Sequence, residues 1–179
     1  DNFSILKSST SAFDETWEPV WGEVKKIRNQ YNELEITLEQ GSPKRTVIIR
    51  FRLYDDGLGF RYEFPNQKNL SYFTIAEEIT QFNLGKDYTA FWIRGDYDTN
   101  EYNYTTSLLS EVSHQIDAAT EEISAQTPTK EISVQTPLML KGNGVYINIH
   151  EAALKDYPAM LLELDSTGVI LSTHLTPDP

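Results

Sequence analysis

Apolar and polar side chains alternate with a period of two along much of the chain. From 31 to 38, Leu34, Ile36 and Leu38 fall on one side, and Glu33, Glu35 and Thr37 on the other. Successive side chains of a strand point to opposite faces, so this stretch predicts a strand with one wetted face. Gly41-Ser42-Pro43 breaks the alternation as a turn. From 46 to 54, Val47, Ile49, Phe51 and Leu53 face one way, and Ile48, Arg50 and Arg52 the other. Asp55-Asp56-Gly57 then predicts a hairpin, because Asp-Gly supplies the positive φ angles of a tight primed turn. Residues 58–64 return, and 73–84, 88–93 and 167–175 extend the strand reading. The single helix candidate is 107–119, which carries no sustained helical period. Short strands at this spacing predict an all-β, antiparallel sandwich.

Composition adjusts this picture in few places. At 179 residues the chain reads as a single domain, 1–179, large enough for a real core. Aromatic residues make up 12%, which marks a globular chain. Fifteen basic residues stand against 27 acidic ones, a net charge of −12. Nucleic acid and anionic membrane both require a basic patch, so neither is an expected partner. Cysteine is absent, which excludes disulfides, thiolate zinc sites and a Cys nucleophile. No apolar run approaches the roughly 20 residues of a membrane span, and no signal-peptide pattern opens the chain. Both ends read as cut, and a sandwich lacking strands would leave unpaired edges. Glu122-Ile-Ser-Ala-Gln-Thr-Pro128 recurs as Glu131-Ile-Ser-Val-Gln-Thr-Pro137. Two copies are too few for a stacked repeat, so 105–137 reads as a long loop or excursion.

The densest candidate chemistry follows Ile147-Asn148-Ile149, in His150-Glu151-Ala152-Ala153-Leu154-Lys155-Asp156-Tyr157. This is an alternating strand that ends in a knot of ionisable groups. If the strand continued through His150 and Glu151, the two would face opposite ways and would not share one ion. Neither His114 nor His174 completes a histidine metal spacing. Asp55 and Asp56 diverge on a turn, whereas paired glycosidase carboxylates stand roughly 5–10 Å apart across a sugar. Trp17, Trp21, Trp92, Tyr97, Tyr102 and Tyr104 have faces suited to stacking on pyranose rings. Asp96-x-Asp98-x-Asn100 resembles the start of an EF-hand loop but lacks its glycine and terminal Glu.

Three ordered blocks carry a family resemblance. Trp17-Glu18-Pro19-Val20-Trp21-Gly22-Glu23, with Ile27 to Glu33, resembles the opening signature of family 97 glycoside hydrolases. Phe51 to Glu63 is similar to the next block of their N-terminal domain, and His150 to Tyr157 to the third. The resemblance implies a β-super-sandwich related to the galactose-mutarotase-like fold, packed in the family against a catalytic (β/α)8 barrel and followed by a small C-terminal β domain. It implies an α-glucosidase or α-galactosidase that uses Ca2+, is periplasmic or otherwise exported, and acts on an oligo- or polysaccharide. The catalytic carboxylates would lie on the barrel, outside this chain. The role of the one calcium-ligand Glu from this domain carries over to Glu151. Asn100, Tyr102 and Tyr104, together with His150 and Asp156, would lie at the domain interface or the cleft edge. Two other classes stand beside this one: an autonomous carbohydrate-binding sandwich using the aromatic loop, and a structural β domain that binds no sugar.

Overall fold

The computed structural model describes residues 2–121 and 132–176. The first repeat copy, 122–128, and Glu131 of the second lie outside the described residues. Contacts divide the stretch that reads as one domain into two compact units, 1–74 and 75–179. No helix among the described residues is long and apolar enough to cross a membrane.

The first unit is one antiparallel four-stranded sheet in chain order: β1 (Phe3–Trp17), β2 (Ile27–Gln40), β3 (Arg45–Leu53) and β4 (Leu58–Glu63). The alternation sets its faces. Leu34 pairs with Phe51, Ile36 with Ile49 and Leu38 with Val47 across β2 and β3. Phe51 pairs with Phe60 across β3 and β4. β1 has no counterpart in the apolar pattern. Its centre reads Lys-Ser-Ser-Thr-Ser, and it is a strand because β2 supplies a ladder of partners from Phe3↔Gln40 to Trp17↔Ile27.

The β3–β4 hairpin forms where Asp-Gly predicts it, but with a different turn. Tyr54 N–H donates to the Gly57 carbonyl at 2.8 Å, and Asp55, Asp56 and Gly57 all keep φ outside the left-handed region. Leu53↔Leu58 is the last pair. The connection therefore spans four residues, and a loop of that length does not need the primed geometry of a two-residue turn.

The polar face of this sheet is an ion-pair lattice. Arg50 stands opposite Arg61, a like-charge pair that would oppose pairing if left alone. Glu63 lies between them, accepting from Arg50 Nε at 2.8 Å and Arg61 Nε at 2.6 Å. Arg50 also bonds Glu35 at 2.8 Å and Glu33, and Arg52 Nε bonds Glu33 at 2.9 Å. Tyr31 completes the hairpin end of this face, stacked on Phe13 at 5.1 Å with the Arg52 guanidinium 4.4 Å from its centroid.

The second unit is a two-sheet sandwich. One sheet has the order β10 (Val145–Ile149), β9 (Leu138–Gly142), β6 (Thr89–Trp92), β7 (Thr105–Leu108). The other has β5 (Gln81–Asn83), β12 (Ile170–Leu175), β11 (Met160–Leu164), β8 (Ser133–Gln135). Leu138, Leu140, Ala90 and Trp92 of the first sheet pack in one core with Val134, Leu162 and Leu171 of the second. The all-β, antiparallel expectation holds.

Three segments depart from the sequence reading. The described part of 105–137 is not a long loop: it holds β7, a helix and the buried strand β8. Within 73–84, residues 81–83 alone form a strand. The preceding stretch meets β12 at isolated points, the Thr80 carbonyl accepting from Thr173 N–H at 2.9 Å and the Glu78 carbonyl from Thr173 Oγ1 at 2.8 Å, so no ladder develops. The helix candidate 107–119 begins as strand β7, because Ser107 pairs with Ala90 and its hydroxyl accepts from Trp92 Nε1 at 3.1 Å. A 3-10 turn, Leu109–Glu111, then leads into α1 (Val112–Glu121). Asp87, distant in sequence, satisfies this entry by accepting from Ser110 N–H at 3.2 Å and Ser110 Oγ at 2.6 Å. Leu109, Val112 and Ile116 bury the helix face in the core, which supplies the stability that the weak period does not.

The lattice predicts acid sensitivity. The Arg50 guanidinium, helped by Arg61 and opposed by burial, holds the Glu63 carboxyl well below the usual carboxylate range, at about 2. A carboxyl depressed on folding adds stability above its unfolded value, and that contribution fades as pH falls toward the folded value. The urea midpoint should therefore drop as pH is lowered from 4.5 to about 2, and Glu63→Gln should flatten that slope. Arg50→Met leaves three carboxylates without their shared cation and should cost about 2 kcal/mol at neutral pH. An unchanged urea midpoint would remove the lattice from the account of stability.

Candidate functional site: the Glu151 loop and the Arg94 corner

β8 positions both parts of the site. Its residues are buried, Val134 fully so. Beyond β6 the chain leaves its own sheet and pairs with β8. Gln135 N–H donates to the Ile93 carbonyl at 3.1 Å, and Gly95 N–H donates to the Ser133 carbonyl at 2.7 Å. Arg94 forms an isolated bridge with Val134. The two sheets are joined at this corner, and the aromatic loop begins there.

Within that loop Tyr102 is half-buried and tied at its hydroxyl. It accepts from Arg94 Nη2 at 2.6 Å and donates to Asp96. The guanidinium also lies 4.3 Å from the Tyr102 centroid. Burial disfavours the Asp96 carboxylate, but the Tyr102 hydroxyl, the Asp98 and Thr99 N–H groups and Arg94 together outweigh it. The Asp96 carboxyl therefore sits below its usual range. Gln135 Nε2 donates to the Thr99 carbonyl at 2.8 Å, which pins the loop tip to β8. Asn100 is exposed, as is Tyr104, at 65%. Tyr97 makes a different contact, a hydrogen bond to His174 Nε2, while His174 Nδ1 lies 2.7 Å from Glu163. The EF-hand likeness of 96–100 gives way to these bonds: the Asp96 carboxylate faces inward to Tyr102 and to the Asp98 N–H at 2.8 Å.

The second part is the loop from β10 to β11. β10 ends at Ile149, so His150 and Glu151 lie beyond the strand, and the opposite-face reading does not apply to them. His150 is exposed, its Nδ1 3.0 Å from the Glu151 carbonyl oxygen. Glu151 is half-buried, and both of its carboxylate oxygens accept a bond. Oε1 takes the Met160 N–H at 2.6 Å, and Oε2 takes the Thr136 hydroxyl at 2.6 Å. The carboxylate thus closes the loop onto the start of β11. Further along, Asp156 turns the chain at φ 55°, a left-handed conformation that Asp tolerates better than most residues. Tyr157 then donates its hydroxyl to Glu78 at 2.9 Å. Asp156 itself is exposed.

Among the described residues, no group of three or more His, Asp or Glu side chains is gathered in a way that could hold a metal ion. The arrangement offers one oriented carboxylate, Glu151, held by Thr136, next in sequence to the Gln135 that holds the polar loop. Thr136, Arg94 and Glu78, which organise these groups, are not legible as such in the sequence. Their partners lie 15, 8 and 79 positions away, at no periodic spacing.

A family model described as glycosyl-hydrolase 97 N-terminal matches residues 1–177. The chain belongs to this family. Among curated relatives, the retaining alpha-galactosidase of Bacteroides thetaiotaomicron is 25% identical over 191 residues, covering all of this chain and 25% of that protein. Among solved structures, a glycoside hydrolase family 97 enzyme from Pseudoalteromonas sp. strain K8, in complex with acarbose, is 33% identical. That match has a TM-score of 0.78 and covers 99% of this chain and 24% of that one. A beta-arabinopyranosidase shares the fold at TM-score 0.74 and 19% identity, with 96% of this chain and 27% of that one covered. The chain thus spans about a quarter of the length of these relatives.

The corner makes one residue intolerant of change. A Cβ on Gly95 would lie 2.0 Å from Ser133 Oγ and 3.1 Å from the Ser133 carbonyl carbon. Gly95→Ala should destabilise the chain by about 1–3 kcal/mol through overpacking. Gly41→Ala, where nothing lies within 4 Å, should stay within about 0.5 kcal/mol. Equal unfolding midpoints for the two variants would contradict the close approach.

Proposed function

We propose that this chain is the N-terminal domain of a calcium-dependent α-glycosidase, an α-glucosidase or α-galactosidase. In this reading it supports the catalytic barrel and supplies one calcium ligand, Glu151. The family match over residues 1–177 is the observation that carries the proposal. The relatives extend well beyond the length matched here, which supports a separate catalytic domain as partner. One relative is a retaining alpha-galactosidase and another is solved with acarbose. Together they favour α-glycosidic substrates without choosing between the two sugars. Hydrolysis would then use two carboxylates on the barrel through an oxocarbenium-like transition state. An exported, periplasmic location belongs to the same proposal.

The residues present fit calcium as a partial donor set. The ion takes about six to eight oxygens, which no cluster among the described residues provides. Glu151 suits a single contribution, because a carboxylate has about four acceptor positions and the Met160 N–H and Thr136 hydroxyl bonds occupy one on each oxygen. Bound calcium would stabilise negative charge and orient a neighbouring carboxylate. Glu151 itself would serve as a fixed anionic ligand, and Asn100, Tyr102, Tyr104, His150 and Asp156 would border the interface or cleft edge.

Two outcomes are expected. The 179-residue chain alone should not hydrolyse aryl α-glucosides or α-galactosides, whereas the intact enzyme should, with activity lost on chelation and restored by calcium. Robust hydrolysis by the chain alone would place the chemistry here and overturn the proposal. In the intact enzyme Glu151→Gln should weaken calcium binding by at least about 10-fold, read by calorimetry.

A further inference from the structure

Glu151 lies outside the ladders, so no strand sets its rotamer. Two groups do so instead. Met160 N–H holds Oε1 at 2.6 Å, and the Thr136 hydroxyl holds Oε2 at 2.6 Å. Thr136 Oγ1 also lies 3.1 Å from the Met160 carbonyl oxygen. One hydroxyl proton faces two acceptors, and the ionised carboxylate is both the nearer and the stronger. The proton therefore goes mainly to Glu151, and the carbonyl contact steers the hydroxyl.

This clamp has a rigid base. Gln135 pairs with Leu161 in the β8–β11 ladder, so Thr136 and Met160 occupy the next positions of the same register. Gln135 is buried and also bonds the loop tip at Thr99. The backbone that carries the Thr136 hydroxyl is therefore anchored at the sandwich edge.

We propose that Thr136 is a positioning residue for Glu151. Its hydroxyl fixes the second carboxylate oxygen while Met160 N–H fixes the first, so the remaining acceptor position on each oxygen points in a set direction toward a cation. The inference rests on the reading of Glu151 as a calcium ligand. Without the hydroxyl the carboxylate stays tethered at Oε1 alone and turns about its terminal torsion, which is broad and easily rotated. Outer groups that orient a metal ligand typically matter by about 10–100-fold in metal affinity.

The test is calorimetric titration of calcium chloride into the intact enzyme and its variants, with thermal midpoints recorded in chelator. Thr136→Val and Thr136→Ala, two ways of deleting the hydroxyl, should weaken calcium affinity about 10-fold or more. Thr136→Ser, which keeps it, should remain within about 3-fold. A purely structural Thr136 would lower the calcium-free midpoint in Thr136→Val and Thr136→Ala and leave calcium affinity unchanged, and that result overturns the proposal. Glu151→Gln separates the two levels. If it leaves calcium affinity unchanged, the ligand reading itself is wrong. If it abolishes binding while both hydroxyl deletions retain it, the positioning role alone fails.

Discussion

The second unit depends on the pairing of β8 with two neighbours at once. On one side Leu162 and Val134 face each other in the β11–β8 ladder. On the other, the Ile93 and Gly95 backbone groups bond Gln135 and Ser133. A three-residue strand is marginal alone, but here every residue is buried, and buried backbone groups must find partners. The join between the sheets and the placement of the polar loops follow from that requirement. Gly95 permits it sterically, because any Cβ there would enter Ser133.

The polar groups near β8 are consequences of the same anchoring. Gln135 holds Thr99, and Thr136 holds Glu151. Adjacent residues thus secure two loops that are distant in sequence. Arg94, rooted at the corner, holds Tyr102 by its hydroxyl, which makes that ring a fixed wall rather than a mobile platform. A domain built this way presents a small number of rigid polar groups. The chain itself spans about a quarter of its relatives' length.

The first unit solves a different problem. Its β3 carries Arg50 opposite Arg61, and the arrangement holds because Glu63, Glu33 and Glu35 surround Arg50. With Arg50 18% and Glu33 12% exposed at their side chains, these charges are far less screened than surface pairs. Removing one partner would therefore matter more than the loss of an exposed bridge.

Local pattern alone determined β2, β3 and β4 and their faces, because alternation states directly which side chains share a surface. It also determined the position of the β3–β4 hairpin and, through three short blocks, the family. The turn geometry at 54–57 was decided by loop length, and strand β1 by the partner it pairs with, since its own residues carry no apolar period. The start of α1 was decided by Asp87 reaching across from another element and by Leu109, Val112 and Ile116 finding a core. The setting of Glu151 belongs to the same class. Its motif named the residue, but whether that carboxylate swings freely or is held at both oxygens depends on Thr136 and Met160, brought together by the β8–β11 register. Sequence periodicity records which face a residue takes within one element. Hydrogen bonds between elements depend on how those elements meet, and only the tertiary fold contains that information.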